Sequence, residues 1–348
     1  MKVNNKISSP KRVISLDVLK GIAIFSIVLF HTNDSFPNAF PKLKFIYTWG
    51  GYLGDYLFFM LSGFTIFYTY NTKVCDNQIS LYSFISKRIK KLYPIYFCTT
   101  LVSIAYIIKE TGINILNFKN IFLNLTLTTS GWIEDIYPYN GPCWFLSQLL
   151  LCYIIWYTIT KFTSQNAIYL YIGMILWGLI LEKYQWNFPF CYVHNGEGFT
   201  NFFMGCLLCK AYLHMQKSKR FTVELVIESI TFLFIILAYQ YGFRNISGDI
   251  KYVFTFLISP SLIILSLDFK HIKKILELRW FVILLGNIST GIFFWHIPFT
   301  KIFINITIKL PFYKTLSEDM KYFLYLSSLY IFCIIIIKLK NLTKFNRK

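Results

Sequence analysis

The sequence predicts an all-α fold: a polytopic membrane helical bundle of about ten transmembrane helices, with both termini cytoplasmic. Three observations predict it. Of 348 residues, 55% are hydrophobic and only 15% charged, where an ordinary soluble domain has about 25% charged. The apolar residues come in long blocks of membrane-spanning size. The basic residues gather in alternate gaps between those blocks, in an excess of roughly two to one on the side of the N-terminus, as cytoplasmic loops do.

The elements follow in order. The first apolar block, 13–32, carries Asp17 and Lys20 and is followed by no small-residue cleavage site, so it reads as a spanning helix rather than a signal peptide. The second, 46–70, contains Leu57-Phe58-Phe59-Met60-Leu61-Ser62-Gly63-Phe64, whose small residues let helices approach closely. The third, 93–108, is preceded by the basic run Lys87-Arg88-Ile89-Lys90-Lys91, a positive-inside anchor. The segment 112–130 is moderately apolar and is expected to lie on the membrane surface or dip into it. Blocks at 145–160, 167–181, 198–214, 222–241, 251–267, 280–299 and 319–338 complete the set. One membrane domain therefore covers 13–338, between a cytoplasmic tail at 1–12 and a basic cytoplasmic tail at 339–348.

Composition also excludes function classes. The net charge of +19 has its source in the cytoplasmic loops, and with no basic groove or basic helix no nucleic acid is expected as a partner. The eight cysteines lie mostly in apolar blocks, where free Cys behaves as a small buried hydrophobe, so no metal is expected. No internal repeat and no matching pair of broken helices is found, which counts against the alternative of a transporter or flippase of glycan intermediates.

Ionisable groups inside a spanning helix cost about 2.5–3.5 kcal/mol each, so function is sought there. Lys20 and His31 are eleven residues apart, which is three turns plus about 20°, so both fall on one face about 16 Å apart along the axis. Asp17, three residues before Lys20, is placed to pair with it. Further landmarks are Gly141-Pro142-Cys143-Trp144-Phe145-Leu146 and Phe294-Trp295-His296-Ile297-Pro298, which put a Trp and a second His near the level of His31. Each alone also admits a packing or anchoring reading.

In this order the motifs resemble the acyltransferase-3 family of membrane acyltransferases. Arg12, Leu16-Asp17-x-Leu19-Lys20-Gly21 and His31 resemble its R-x-x-x-L-D-x-L-[RK]-G opening and [RK]-x10-H motif. Phe58-Phe59-x-Leu61-Ser62-Gly63-Phe64 resembles F-F-x-x-S-G-[FY], and Arg88-x-x-Lys91-Leu92-x-Pro94 resembles R-x-x-R-[IL]-x-P. Trp144-Phe145-Leu146 and His296-x-Pro298 resemble W-[FS]-L and H-x-P. Two departures stand out: Lys91 replaces the second Arg of the loop motif, which loses the bidentate fork, and Tyr56 occupies a slot that is often Asp, with Asp55 one residue earlier. The fused SGNH-type domain of some members is not expected here.

The resemblance implies an O-acetyltransferase of the bacterial inner (cytoplasmic) membrane. Its donor would be acetyl-CoA and its acceptor a glycan or lipid-linked sugar of the cell envelope, with lipids as its surroundings. It implies His31 as the catalytic residue, either as general base toward the acceptor hydroxyl or as a nucleophile that carries the acyl group, with Lys20 and His296 beside it. Arg88, Lys91 and Lys20 would hold the CoA phosphates, Trp144 and Ser62 would meet substrate, and Asp17 would support Lys20.

Overall fold

The computed structural model describes residues 12–113, 116–218 and 250–345. These residues are helical, with no β-strand among them. The long helices are α1 (Ile14–Thr32), α2 (Lys44–Cys75), α3 (Leu81–Thr111), a short α4 (Phe118–Thr126), α5 (Trp144–Thr163), α6 (Ala167–Tyr184) and α7 (Val193–Ser218). After them come α8 (250–268), α9 (Lys270–Leu276), α10 (Arg279–Asn287), α11 (Ser289–Thr307), α12 (Pro311–Thr315) and α13 (Glu318–Phe345). Six of them are long and apolar enough to cross a membrane, or seven if α10 and α11, bent by 53°, count as one broken span. The α2 and α7 helices, of 32 and 26 residues, carry more polar residues and are not among the six. The block at 222–241 lies outside the described residues. The segment 112–130 yields the short amphipathic α4, and α13 runs on past 338 into the basic tail.

Close helix packing follows from small residues. At Gly63 a Cβ would fall on the Phe202 carbonyl, and at Gly205 one would fall on the Met60 carbonyl, so α2 and α7 interlock glycine against backbone. Gly21 does the same for α1 against Leu285. Leu285 lies in the π turn Val282–Asn287 that loosens the end of α10, and such turns recur near functional sites.

These contacts fix the register. On α1 and α2, Gly50 meets Ser26 and Phe30 while Gly54 meets Ala23 and Ile27, so the two helices are antiparallel. Along α10 and α11, Leu285 meets Gly21 and His296 meets His31, so that strand of chain runs parallel to α1. The core between them is aromatic: Phe58 of α2 packs on Phe145 of α5 and on Phe293 of α11, at centroid distances of 4.9 and 6.2 Å.

Candidate active site

The end of α1 brings His31 to a partly exposed position, and α11 brings His296 to a fully buried one. Their nitrogens, Nδ1 of His31 and Nε2 of His296, stand 3.3 Å apart. On the far side of its ring, His296 Nδ1 lies 2.7 Å from the Phe293 carbonyl and 3.2 Å from that of Ile292. A carbonyl only accepts, so His296 Nδ1 carries the hydrogen, and in the neutral ring Nε2 is then an acceptor. His31 therefore donates through Nδ1, with the Ile27 carbonyl as a second acceptor for its ring. By elimination His31 Nε2 keeps a lone pair. One imidazole thus sets the tautomer of the other, as partners of a catalytic His commonly do.

The backbone around His296 explains its companion proline. Pro298 has no N–H, so the Phe294 carbonyl four residues back loses its helical donor. Asn140, in the loop before α5, donates Nδ2 to that carbonyl at 3.0 Å and to Thr99 Oγ1 at 3.2 Å. The Thr300 hydroxyl donates to the His296 carbonyl at 2.6 Å. The segment that carries the second histidine is therefore tied to α3 through Tyr96 on Phe294, to α13 through Thr300 and Tyr325, and to this loop through Asn140.

At the opposite end of α1 the charges are arranged differently from the spacing argument. Asp17 pairs with Arg12 at 2.5 Å, while Lys20 Nζ donates to Thr65 Oγ1 of α2 at 3.3 Å. Lys20 still feels the charges of Asp17, Lys91 and Arg12. Lys91 itself is exposed.

Arg88 does not point freely to solvent. Its guanidinium lies 3.7 Å from the Phe84 ring centroid and 4.4 Å from that of Tyr70, and it donates to the Phe84 carbonyl at 2.7 Å. The Tyr153 hydroxyl bridges Arg88 to Ser62, which is buried on α2. Arg88, Leu92, Tyr96, Leu127 and Tyr153 line a small open cleft of about 30 Å³ between α3 and α5.

Trp144 opens α5 and is buried against Phe59 and against the ring of His194, 4.6 Å away. His194 and its neighbours were not singled out from the sequence, because the sixth apolar block begins at 198 and leaves His194 and Glu197 outside it. A carboxylate within the span of a helix was the available signal, at Asp55. Among the described residues no group of three His, Cys, Asp or Glu side chains is close enough to hold a metal ion.

The bundle of apolar helices around this pair of imidazoles, with six or seven helices among the described residues long and apolar enough to cross a membrane, is that of a multi-pass membrane protein. The chain belongs to the acyltransferase-3 family: residues 13–338 match that family's profile, described as an acyltransferase domain. It is similar to "Protein 2 in picA locus" of Rhizobium radiobacter, 34% identical over 101 residues, which is 29% of this chain and 49% of that protein. The match thus spans about half the length of that relative. No solved structure matches the chain.

Proposed function

We propose that this membrane acyltransferase transfers acetyl from cytoplasmic acetyl-CoA to a hydroxyl of a surface or capsular polysaccharide sugar. In this reading ten helices span the inner membrane, both termini face the cytoplasm, and His31 lies toward the outer face. The observation that carries it is the fixed tautomer of His31, which leaves a lone pair on Nε2 in a partly exposed position.

His31 Nε2 takes the proton of the acceptor hydroxyl. The hydroxyl oxygen attacks the thioester carbonyl, the C–S bond breaks, and the departing thiolate receives the proton from the imidazolium. The products are an acetyl ester and free CoA, and His31 returns to its starting form. His296 is a positioning residue. Lys20, Lys91 and Arg88 attract the nucleotide phosphates at the other end of α1. Trp144 and Ser62 face the substrates from α5 and α2. The rise of α1 puts about 16 Å between Lys20 and His31, a span comparable to an extended pantetheine arm.

The test is release of CoA from acetyl-CoA by protein in detergent or nanodiscs. Wild type is expected to turn acetyl-CoA over slowly without acceptor. His31→Ala is expected to lose about 10²–10⁴ of that rate, and Arg88→Ala to raise the KM for acetyl-CoA. Wild-type protein that neither binds nor turns over acetyl-CoA would overturn the donor assignment.

A further inference from the structure

A second polar constellation sits beside Trp144. The loop between α4 and α5 is tied down on three sides: Asn195 Nδ2 donates to the Gly131 carbonyl at 2.8 Å, Trp132 Nε1 to the Ser147 carbonyl at 3.1 Å, and Tyr192 to the Ile133 carbonyl at 2.9 Å. This fixed loop presents Asp135, whose Oδ1 accepts from the Gly131 N–H and whose Oδ2 lies 3.1 Å from His194 Nδ1. Asp135 therefore holds His194 with Nδ1–H toward the carboxylate, which leaves Nε2 free to meet a ligand. One turn along α7, Glu197 faces the same group, and Asp55 of α2 lies within electrostatic reach of both His194 and Glu197. Lys251, which lies within electrostatic reach of Glu197, is already engaged with buried Glu182 at 3.1 Å.

Ionisable groups inside a helical membrane bundle mark functional sites. These are three carboxylates and one imidazole around a tryptophan, too dispersed to share a metal ion among the described residues. Carboxylates set apart in this way suit a ligand with several separated O–H donors, and the indole suits an apolar C–H face. A sugar ring has both.

The register places this group level with the imidazole pair. Phe58 and Phe293 touch. Asp55 is three residues from Phe58 and His296 three residues from Phe293, and because α2 and α11 are antiparallel both steps lead toward the same end of the bundle. At 1.5 Å per residue each lies about 4.5 Å beyond the contact.

We infer that Asp55, Asp135, His194 and Glu197, with Trp144, form the acceptor subsite and bind a hydroxyl-rich sugar ring beside His31. The inference rests on the acyl-transfer reading for its role, but sugar binding is measurable without transfer. His194 Nε2 and the Asp55 and Glu197 carboxylates accept from sugar hydroxyls, and the small exposed part of Trp144, otherwise buried against Phe59 and His194, borders the ring.

The experiment titrates purified His31→Ala protein, which lacks the proposed base, with free hexoses and N-acetylhexosamines and follows tryptophan fluorescence and melting temperature. At least one sugar is expected to shift both signals. The fluorescence change is expected to disappear in Trp144→Phe, and Asp55→Asn or His194→Gln is expected to weaken binding at least tenfold while melting unliganded within a few degrees of the parent. In the wild-type background the same substitutions are expected to raise the KM for sugar at least tenfold and the KM for acetyl-CoA less than twofold. Sugar binding unchanged in these variants, or no sugar bound by the parent, would overturn the subsite. Binding of a polyamine in place of any neutral sugar would overturn it as well. Wild type that binds sugar as predicted but never cleaves acetyl-CoA would refute the acyl-transfer reading and leave the binding site standing.

Discussion

Replacing His296 with leucine tests whether the second imidazole positions the first. The change removes the acceptor for His31 Nδ1–H. The distance of 3.3 Å is at the long end of hydrogen-bond lengths, so the bond is an ordinary neutral one with a net worth of about 0.5–1.5 kcal/mol. At 1.4 kcal/mol per decade that is a loss of roughly twofold to tenfold in kcat. The loss stops there because the Ile27 carbonyl still accepts from the His31 ring and the useful tautomer persists. His296→Gln, whose amide oxygen can take the Nδ1–H, is expected to recover most of the rate. The assay is CoA release at saturating acetyl-CoA, with melting temperature as a check on folding. A loss of a thousandfold or more in a folded His296→Leu protein, level with His31→Ala, would refute the reasoning, because His296 would then touch the reacting atoms. Unchanged kcat would refute it from the other side.

Two further outcomes follow from packing. Gly63→Ala puts a Cβ onto the Phe202 carbonyl, and overpacking of this kind costs about 1–3 kcal/mol; a melting temperature lowered by several degrees in detergent is expected, and an unchanged one would show that α2 and α7 do not interlock there. Asn140→Leu strips the donor from the Phe294 carbonyl that Pro298 leaves open, and an unsatisfied buried carbonyl costs about 1–3 kcal/mol. Asn140→Asp, an acceptor only at that position, is expected to melt no higher than the leucine variant.

Much of this arrangement was legible in the chain because the membrane makes polar residues conspicuous. Asp17, Lys20 and His31 stand out on α1 since each is costly in an apolar helix, and helical periodicity alone aligns Lys20 with His31. What periodicity cannot supply is partner choice. Asp17 sits at the right spacing for Lys20, yet Arg12 reaches it from the preceding segment and Thr65 takes Lys20 across the helix interface. A basic run likewise says where charge lies along the chain and nothing about the rings of Phe84 and Tyr70 that receive Arg88. The Asp135–His194 pair joins residues 59 apart, one of them in a loop of mixed composition, and only tertiary packing brings them together. The span count is the reverse case: α2 and α7, which carry Asp55, His194 and Glu197, are not among the helices apolar enough to span, whereas α1 is, despite Asp17, Lys20 and His31.

The pairing of His31 with His296 joins positions 265 residues apart, and Asn140 reaches Phe294 across 154. During synthesis α1 is among the first segments to leave the ribosome, and its histidine waits until α11 has been made. Contacts so distant in sequence form late. Nascent and truncated chains that lack α11 therefore hold every group at the Lys20 end but leave the His31 ring with the Ile27 carbonyl as its only partner of the two, so the imidazole pair assembles only after α11 has been made.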